Sequence, residues 1–498
     1  MFNYTGHGGT TALSDEKVLT QTDINQFTYT HLPVWVTATC DFTRFDDLNT
    51  SAGEDVFLNK SSGGIALFTT VRVAYSRPNF PINDNVIRNL FERNNGRRRT
   101  LGEVMQATKN TLSSVYKLGF CLIGDPAVKM AYPEFGMKVT TVNGQSVDGN
   151  SISFKALEKI TVEGEVLDAS GQLVTDFTGI VNPTVKDSKV TVTCLKNSNK
   201  DDSPAFTFTD YPNTIFIGND SVRNGKFSFT FTVPKDISYS NLQGKMNLYA
   251  VDTESGNEAQ GNFDNFIVGG TSDTAETDTI GPEIRALYLN DTTFVDGGQV
   301  NTTPYFVAEL WDKSGVNITG SSVGHDMMLV IDESTVLSYN LNSYYELLLG
   351  EDGTGIVKFP IPALEPGKHT AEFWVWDILN NSTVRTFTFE VVEGLKPFLF
   401  DVIATPGIAR EQVTFHLMHN RPESRMRVGI MVYDLAGRQL WKHEESGTSG
   451  LFENYTVSWD LTSGGARMRP GVYIYRAAIS TDNSKDATKA RKFIILGE

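Results

Sequence analysis

Hydrophobic residues follow two patterns along the chain, and the change falls near residue 133. Before it, short apolar runs alternate with helix-like stretches. Val34-Trp35-Val36-Thr37-Ala38-Thr39 and the segment 63–71 are continuous strand-forming runs, the kind buried on both faces of a sheet. Helix signals lie between and after them: 20–27, with Thr22 or Asp23 near its start, then 51–60 and 83–94. Thr100 and Glu103 have capping-box spacing and open a further helix to about Tyr116. Residues 120–123 read as the last strand of this part. Strand, crossover and strand over 1–39 predict a right-handed βαβ unit whose two strand ends share one sheet edge.

After Pro133 the pattern turns to period two, without helix signals. Phe227, Phe229 and Phe231 alternate with Ser228, Thr230 and Thr232, which predicts a strand with one buried face. Such strands recur to about Val268. The polar stretch 269–278 has no apolar anchor and reads as a linker. A second β block covers about 281–393 and a third about 398–498. Each block contains a strand ending in Asp-x-(Ser/Ala)-Gly: Asp168 to Gly171, Asp312 to Gly315 and Asp434 to Gly437. Asp accepts backbone N–H groups in a turn and Gly takes the left-handed position, so each is expected to be a hairpin turn. Asp252 with Asn257, and Asp377 with Asn381, mark a second turn. These carboxylates could bind calcium, but a turn role accounts for the motif. The blocks are each about the length of an immunoglobulin-like sandwich, so the expected domains are 1–132, 133–268, 281–393 and 398–498.

Composition narrows the function. With 498 residues, 40% hydrophobic and 20% charged, the chain is of ordinary globular make-up. A net charge of −16 argues against a nucleic-acid partner, which needs a basic face. Arg97-Arg98-Arg99 is the one dense basic run and is expected to be a solvated loop. No run of apolar residues is long enough to span a bilayer. Cys40, Cys121 and Cys194 are far apart and form no CxxC pair, so neither a metal site nor a disulfide framework is expected, and no cofactor is implied. Cys121 and Cys194 read as core residues. Cys40 is left as the reactive candidate.

The chemistry gathers on the paired strand ends. His7 sits between Gly6 and Gly8 just past the first strand, and Cys40 ends the second. A thiol and an imidazole on one carboxyl edge make a nucleophile with its base. The loop from Arg72 to Pro81 follows another strand end and should rim the same edge. Arg72 and Tyr75 there are candidates for substrate contact, or for anchoring the loop.

Gly6-His7-Gly8 and Thr37-Ala38-Thr39-Cys40 resemble the catalytic pair of the gingipain family of cysteine peptidases. The likeness continues through Gly53 to Leu58, Gly63 to Phe68, Thr100 to Glu103 and Leu122 to Pro126, and covers roughly 1–132. The resemblance implies an α/β caspase-like fold, with His7 and Cys40 catalytic and the N–H groups of Gly8 and Cys40 forming the oxyanion hole. A caspase-like sheet has two strands ahead of the histidine strand. The expectation is therefore that 1–132 is the carboxyl-terminal part of the catalytic domain, its N-terminal strands missing, with any export signal upstream.

The last block is similar to the carboxyl-terminal sorting domains of type IX secretion, through Val432 to Arg438, Trp459-Asp460, Pro470 to Arg476 and Arg491 to Leu496. A gingipain-like pair joined to such a block implies a cell-surface sortase associated with the outer membrane. It would cleave the sorting domains of secreted client proteins and transfer the clients to an amine of surface lipopolysaccharide, with an outer-membrane component as its partner. Two other readings stay open: a secreted gingipain-like endopeptidase carrying its own sorting tail, and a catalytically inactive adhesin-like fragment.

Overall fold

The computed structural model describes residues 1–27, 29, 31–60, 62–94, 96–196, 204–273, 278–320, 324–348, 353–481 and 483–496. The chain divides into two compact units. One comprises 1–134 with 169–172, and the other comprises 135–168 with 173–498.

The first unit is built on a four-stranded sheet in chain order: β1 (Phe2–Thr5), β2 (Val34–Ala38), β3 (Ala66–Thr70) and β4 (Phe120–Ile123). The first three run parallel and β4 lies antiparallel to β3. Every residue of β2 and β3 is buried, as continuous apolar runs require. Their alternating side chains feed two cores. Val34, Val36 and Phe68 pack with Ile82, Val86, Leu101 and Val104 of helices α3 (Ser76–Phe91) and α4 (Leu101–Thr111). Trp35 and Leu67 pack on the opposite face, with Ile24 and Val56 of α1 (Gln21–Gln26) and α2 (Ala52–Leu58). The crossover α1 joins β1 to β2 as the spacing requires.

Helix starts differ from the sequence reading at two places. Thr20, not Thr22 or Asp23, caps α1; Asp23 is the third helical residue, and its carboxylate accepts the Thr20 N–H at 2.8 Å. α3 begins at Ser76 rather than Asn83, so only Arg72 to Tyr75 remains a loop. Pro78 lies in the first turn, where no N–H partner exists, and so does not oppose the helix. α4 has the expected cap, the Thr100 N–H donating to Glu103 at 2.8 Å, but it stops at Thr111. A 3₁₀ turn, Val115–Gly119, follows. The basic run is not merely solvated, because each arginine has an acid: Arg97 with Glu103, Arg98 with Glu134 and Arg99 with Glu92.

The second unit contains three pairs of sheets, each enclosing its own apolar core. A nine-stranded and a three-stranded sheet enclose Phe154, Phe177, Phe229 and Phe231. A four- and a five-stranded sheet enclose Phe306, Phe373 and Phe389. A three- and a five-stranded sheet enclose Phe415, Trp459, Tyr475 and Phe493. Phe227, Phe229 and Phe231 are buried, with Ser228 and Thr230 exposed between them. The strand Phe266–Thr271 continues into the stretch read as linker, where Thr271 pairs with Ala156. Residues 274–277 of that stretch lie outside the described residues.

The three Asp-x-x-Gly turns share their conformation but not their place in the fold. Gly171, Gly315 and Gly437 all have positive φ. Only Asp434 to Gly437 closes a hairpin between two ladder-paired strands, Met426–Tyr433 and Gln439–Gly447. After Asp168 the chain folds back only far enough for a single antiparallel bridge, Leu167 with Leu173, and after Asp312 it leaves for a strand of another sheet. An Asx turn ends a strand; where the chain goes next is decided by the sheet that receives it. Cys194 also departs from expectation. It is exposed, because it follows the two-stranded ribbon of Val190–Thr193 and Thr207–Asp210, which has no buried face.

Candidate active site

Register brings the two candidate catalytic residues to one edge. In the parallel β1–β2 ladder the last pair is Thr5 with Ala38. His7 and Cys40 each lie two residues beyond that pair, so both leave the sheet at the same level of adjacent strands. Neighbouring strands are about 4.8 Å apart, which puts the two backbones side by side. His7 is exposed and Cys40 is half-buried.

The histidine is held by its backbone. Its carbonyl accepts from the Tyr4 hydroxyl at 2.7 Å and from the Ser14 N–H at 2.8 Å. Burial raises the Tyr4 pKa, which keeps that hydroxyl a donor. Gly8 lies tight against the cysteine strand. A Cβ there would sit 2.4 Å from Thr39 Oγ1 and 3.2 Å from the Ala12 carbonyl, so only glycine fits.

The cysteine is held by the segment after β3. Thr70 Oγ1 donates to the Thr39 carbonyl at 2.5 Å, and the Asp41 N–H donates to the Arg72 carbonyl at 3.3 Å. Cys40 Sγ donates to the Ala74 carbonyl at 3.0 Å and accepts from the Ala74 N–H at 3.4 Å. In this arrangement the thiol is bonded to Ala74 and not to His7.

Residues 1–131 match peptidase family C25. The match lends support to cysteine peptidase activity, and the C25 segment contains both His7 and Cys40. The chain is similar to the crystal structure of dimeric latent PorU from Porphyromonas gingivalis, with 36% identity over 88% of this chain and 41% of that one, at a TM-score of 0.37. It is also similar to the crystal structure of the Arg-specific cysteine proteinase gingipain R, with 19% identity over 53% of this chain and 52% of that one, at a TM-score of 0.25. The chain thus spans well under two thirds of either protein. No curated protein matches it.

Other candidates in the C25 segment fare differently. Arg72 forms a two-pronged ion pair with Asp46, at 3.0 and 2.6 Å, which ties its loop down. Tyr75 ends that loop, caps α3 and is 61% exposed, its ring edge-on to Tyr116 at 5.3 Å. Sequence reasoning missed Thr70 and Ala74. Ala74 acts through its backbone and leaves no side-chain signal. Thr70 leaves no sequence signal either, because its place near Thr39 follows from the register of β2 on β3, in which Thr37 pairs with Thr69.

Three carboxylates, Asp278, Asp312 and Asp377, converge in the second unit with oxygens within 4.8 Å of one another. Asp312 accepts the N–H groups of Ser314 and Gly315, and Asp377 those of Leu379 and Asn381. Burial pushes the Asp312 carboxyl up to about 6 and raises Asp377 as well. Such an oxygen set could hold a hard cation, but these carboxylates already serve their own turns.

Proposed function

We propose that this chain acts in a cell-surface cysteine peptidase of the sortase kind, with a caspase-like catalytic domain and His7 and Cys40 as its dyad. The observation that carries the reading is the equal offset of the two residues beyond the Thr5–Ala38 pair, within a segment matching a peptidase family. In the proposed reaction the thiol leaves Ala74 and turns toward His7, which takes its proton. The thiolate attacks the carbonyl of a client polypeptide. The N–H groups of Gly8 and Cys40 stabilise the oxyanion, and His7 returns the proton to the departing amine. Water attacking the thioester completes peptidase action. An amine of surface lipopolysaccharide attacking it completes transfer.

The clients would be secreted proteins bearing carboxyl-terminal sorting domains. This chain's last block, on the same reading, stays attached and docks on an outer-membrane partner. Among the described residues no helix is long and apolar enough to cross a membrane. Cys40→Ala tests the reading, because it removes the nucleophile with little change in volume. Cells carrying it should accumulate clients with uncleaved tails while the variant stays at the surface. Normal client maturation in that strain refutes the sortase assignment, and shedding of the block after about 398 from the wild-type protein favours a secreted endopeptidase.

A further inference from the structure

The end of β3 surrounds the cysteine strand with more hydroxyl groups than packing requires. Thr37, Thr39, Thr43, Thr69 and Thr70 are all at most 2% exposed. Thr69 Oγ1 bonds the hydroxyls of Thr37 and Thr43, each at 2.8 Å, and joins the strands below the site. Thr70 is placed differently. Its hydroxyl donates at 2.5 Å to the carbonyl of Thr39, the residue before the nucleophile.

That carbonyl belongs to the same peptide group as the Cys40 N–H. A trans peptide is planar, and its C=O and N–H point in opposite directions. Fixing one therefore fixes the other. A hydrogen bond to the carbonyl also polarises the amide and strengthens its N–H as a donor. The next peptide plane is restrained as well, by the Asp41 N–H on the Arg72 carbonyl. Asp41 has φ of 51°, a left-handed conformation that the surrounding bonds must hold in place.

We propose that Thr70 is a positioning residue: its buried hydroxyl aims and polarises the Cys40 N–H toward the oxyanion formed during acyl transfer. This rests on the reading of Cys40 as nucleophile and extends it to a residue that touches neither substrate nor thiol. Thr70 acts on steps that create an oxyanion and not on steps that only need the sulfur.

Two small reagents separate these. p-Nitrophenyl acetate acetylates a thiol through a tetrahedral oxyanion: sulfur bonds the acetyl carbon, p-nitrophenolate leaves with the bonding pair, and the thiol proton passes to solvent. Iodoacetamide alkylates sulfur by direct displacement of iodide, with no oxyanion. Both rates are read at the Cys40 peptide by mass spectrometry of the full 498-residue chain, with the exposed Cys194 as internal reference. Thr70→Val keeps the shape and removes the hydroxyl. It should slow acetylation of Cys40 about tenfold and leave alkylation within twofold of wild type, since loss of a whole oxyanion donor costs about 10²–10³ and a misaimed one costs less. Thr70→Ser, which retains the hydroxyl, should restore the wild-type ratio of the two rates. Equal loss of both rates, or no change in either, overturns the assignment. Thr70→Ala supplies the same comparison should Thr70→Val fail to fold. If wild-type Cys40 is acetylated no faster than Cys194, the nucleophile reading itself fails, and the role of Thr70 falls with it.

Discussion

Acid should loosen the last pair of sheets, and His419 is the reason. It ends the core strand Val413–His419, and its ring is largely shielded from solvent. Nδ1 accepts the Arg421 N–H at 3.1 Å, so that nitrogen carries no proton, and Nε2 lies 2.8 Å from Ser449 Oγ, to which it can donate. Burial, with the Arg421 charge adding to it, pushes its pKa down to about 4. The unfolded chain titrates near 6.5. Between those values the unfolded state binds a proton that the folded state refuses, so stability falls as pH drops from about 6.5 to about 4 and then levels off. At 1.36 kcal/mol per pKa unit the full loss is about 3 kcal/mol. Protonation removes the Arg421 N–H acceptor and sets a second positive charge beside the buried Arg421. Hydrogen exchange with mass spectrometry reads this locally. After correction for intrinsic rates, peptides covering Val413–His419 and Tyr455–Trp459 should exchange about a hundredfold faster at pH 4 than at pH 7, at about 1.4 kcal/mol per tenfold. His419→Gln should flatten the dependence. A flat profile in the wild type, or an unchanged slope in the variant, refutes the reasoning.

Two further outcomes test the packing of the site and of the sheet beneath it. Gly8→Ala should cut Cys40 acetylation by p-nitrophenyl acetate at least tenfold while far-UV circular dichroism stays unchanged, because the new Cβ would lie 2.4 Å from Thr39 Oγ1. Trp35→Ala removes a side chain that is 1% exposed, packed at a tilt against the Phe2 ring at 4.0 Å and hydrogen-bonded through Nε1 to the Gly63 carbonyl at 3.0 Å. It should destabilise the C25 segment by about 3–5 kcal/mol in urea unfolding followed by exchange at β2.

Much of this protein is determined by local sequence alone. Unbroken apolar runs such as Val34 to Ala38 specify strands covered on both faces, because no face of them tolerates water. The alternation at Phe227, Phe229 and Phe231 specifies a strand with one wet side. Thr100 with Glu103 specifies a helix start, because both groups needed for the cap lie within four residues. The βαβ spacing and right-handed crossover put His7 and Cys40 on one edge before any coordinates are known. What the sequence could not determine depends on partners distant along the chain. Cys194 alternates like a core residue, yet its ribbon meets no second layer and stays exposed. Arg72 stands at a strand end, and its ion pair with Asp46, 26 positions away, is made only by the fold. The Asp312 turn has the composition of a hairpin, but the chain crosses there to another sheet. The support of Cys40 by the Thr70 hydroxyl and the Ala74 backbone exists only once β3 is packed beside β2, since hydrogen bonds between residues some thirty positions apart are set by register and not by local preference.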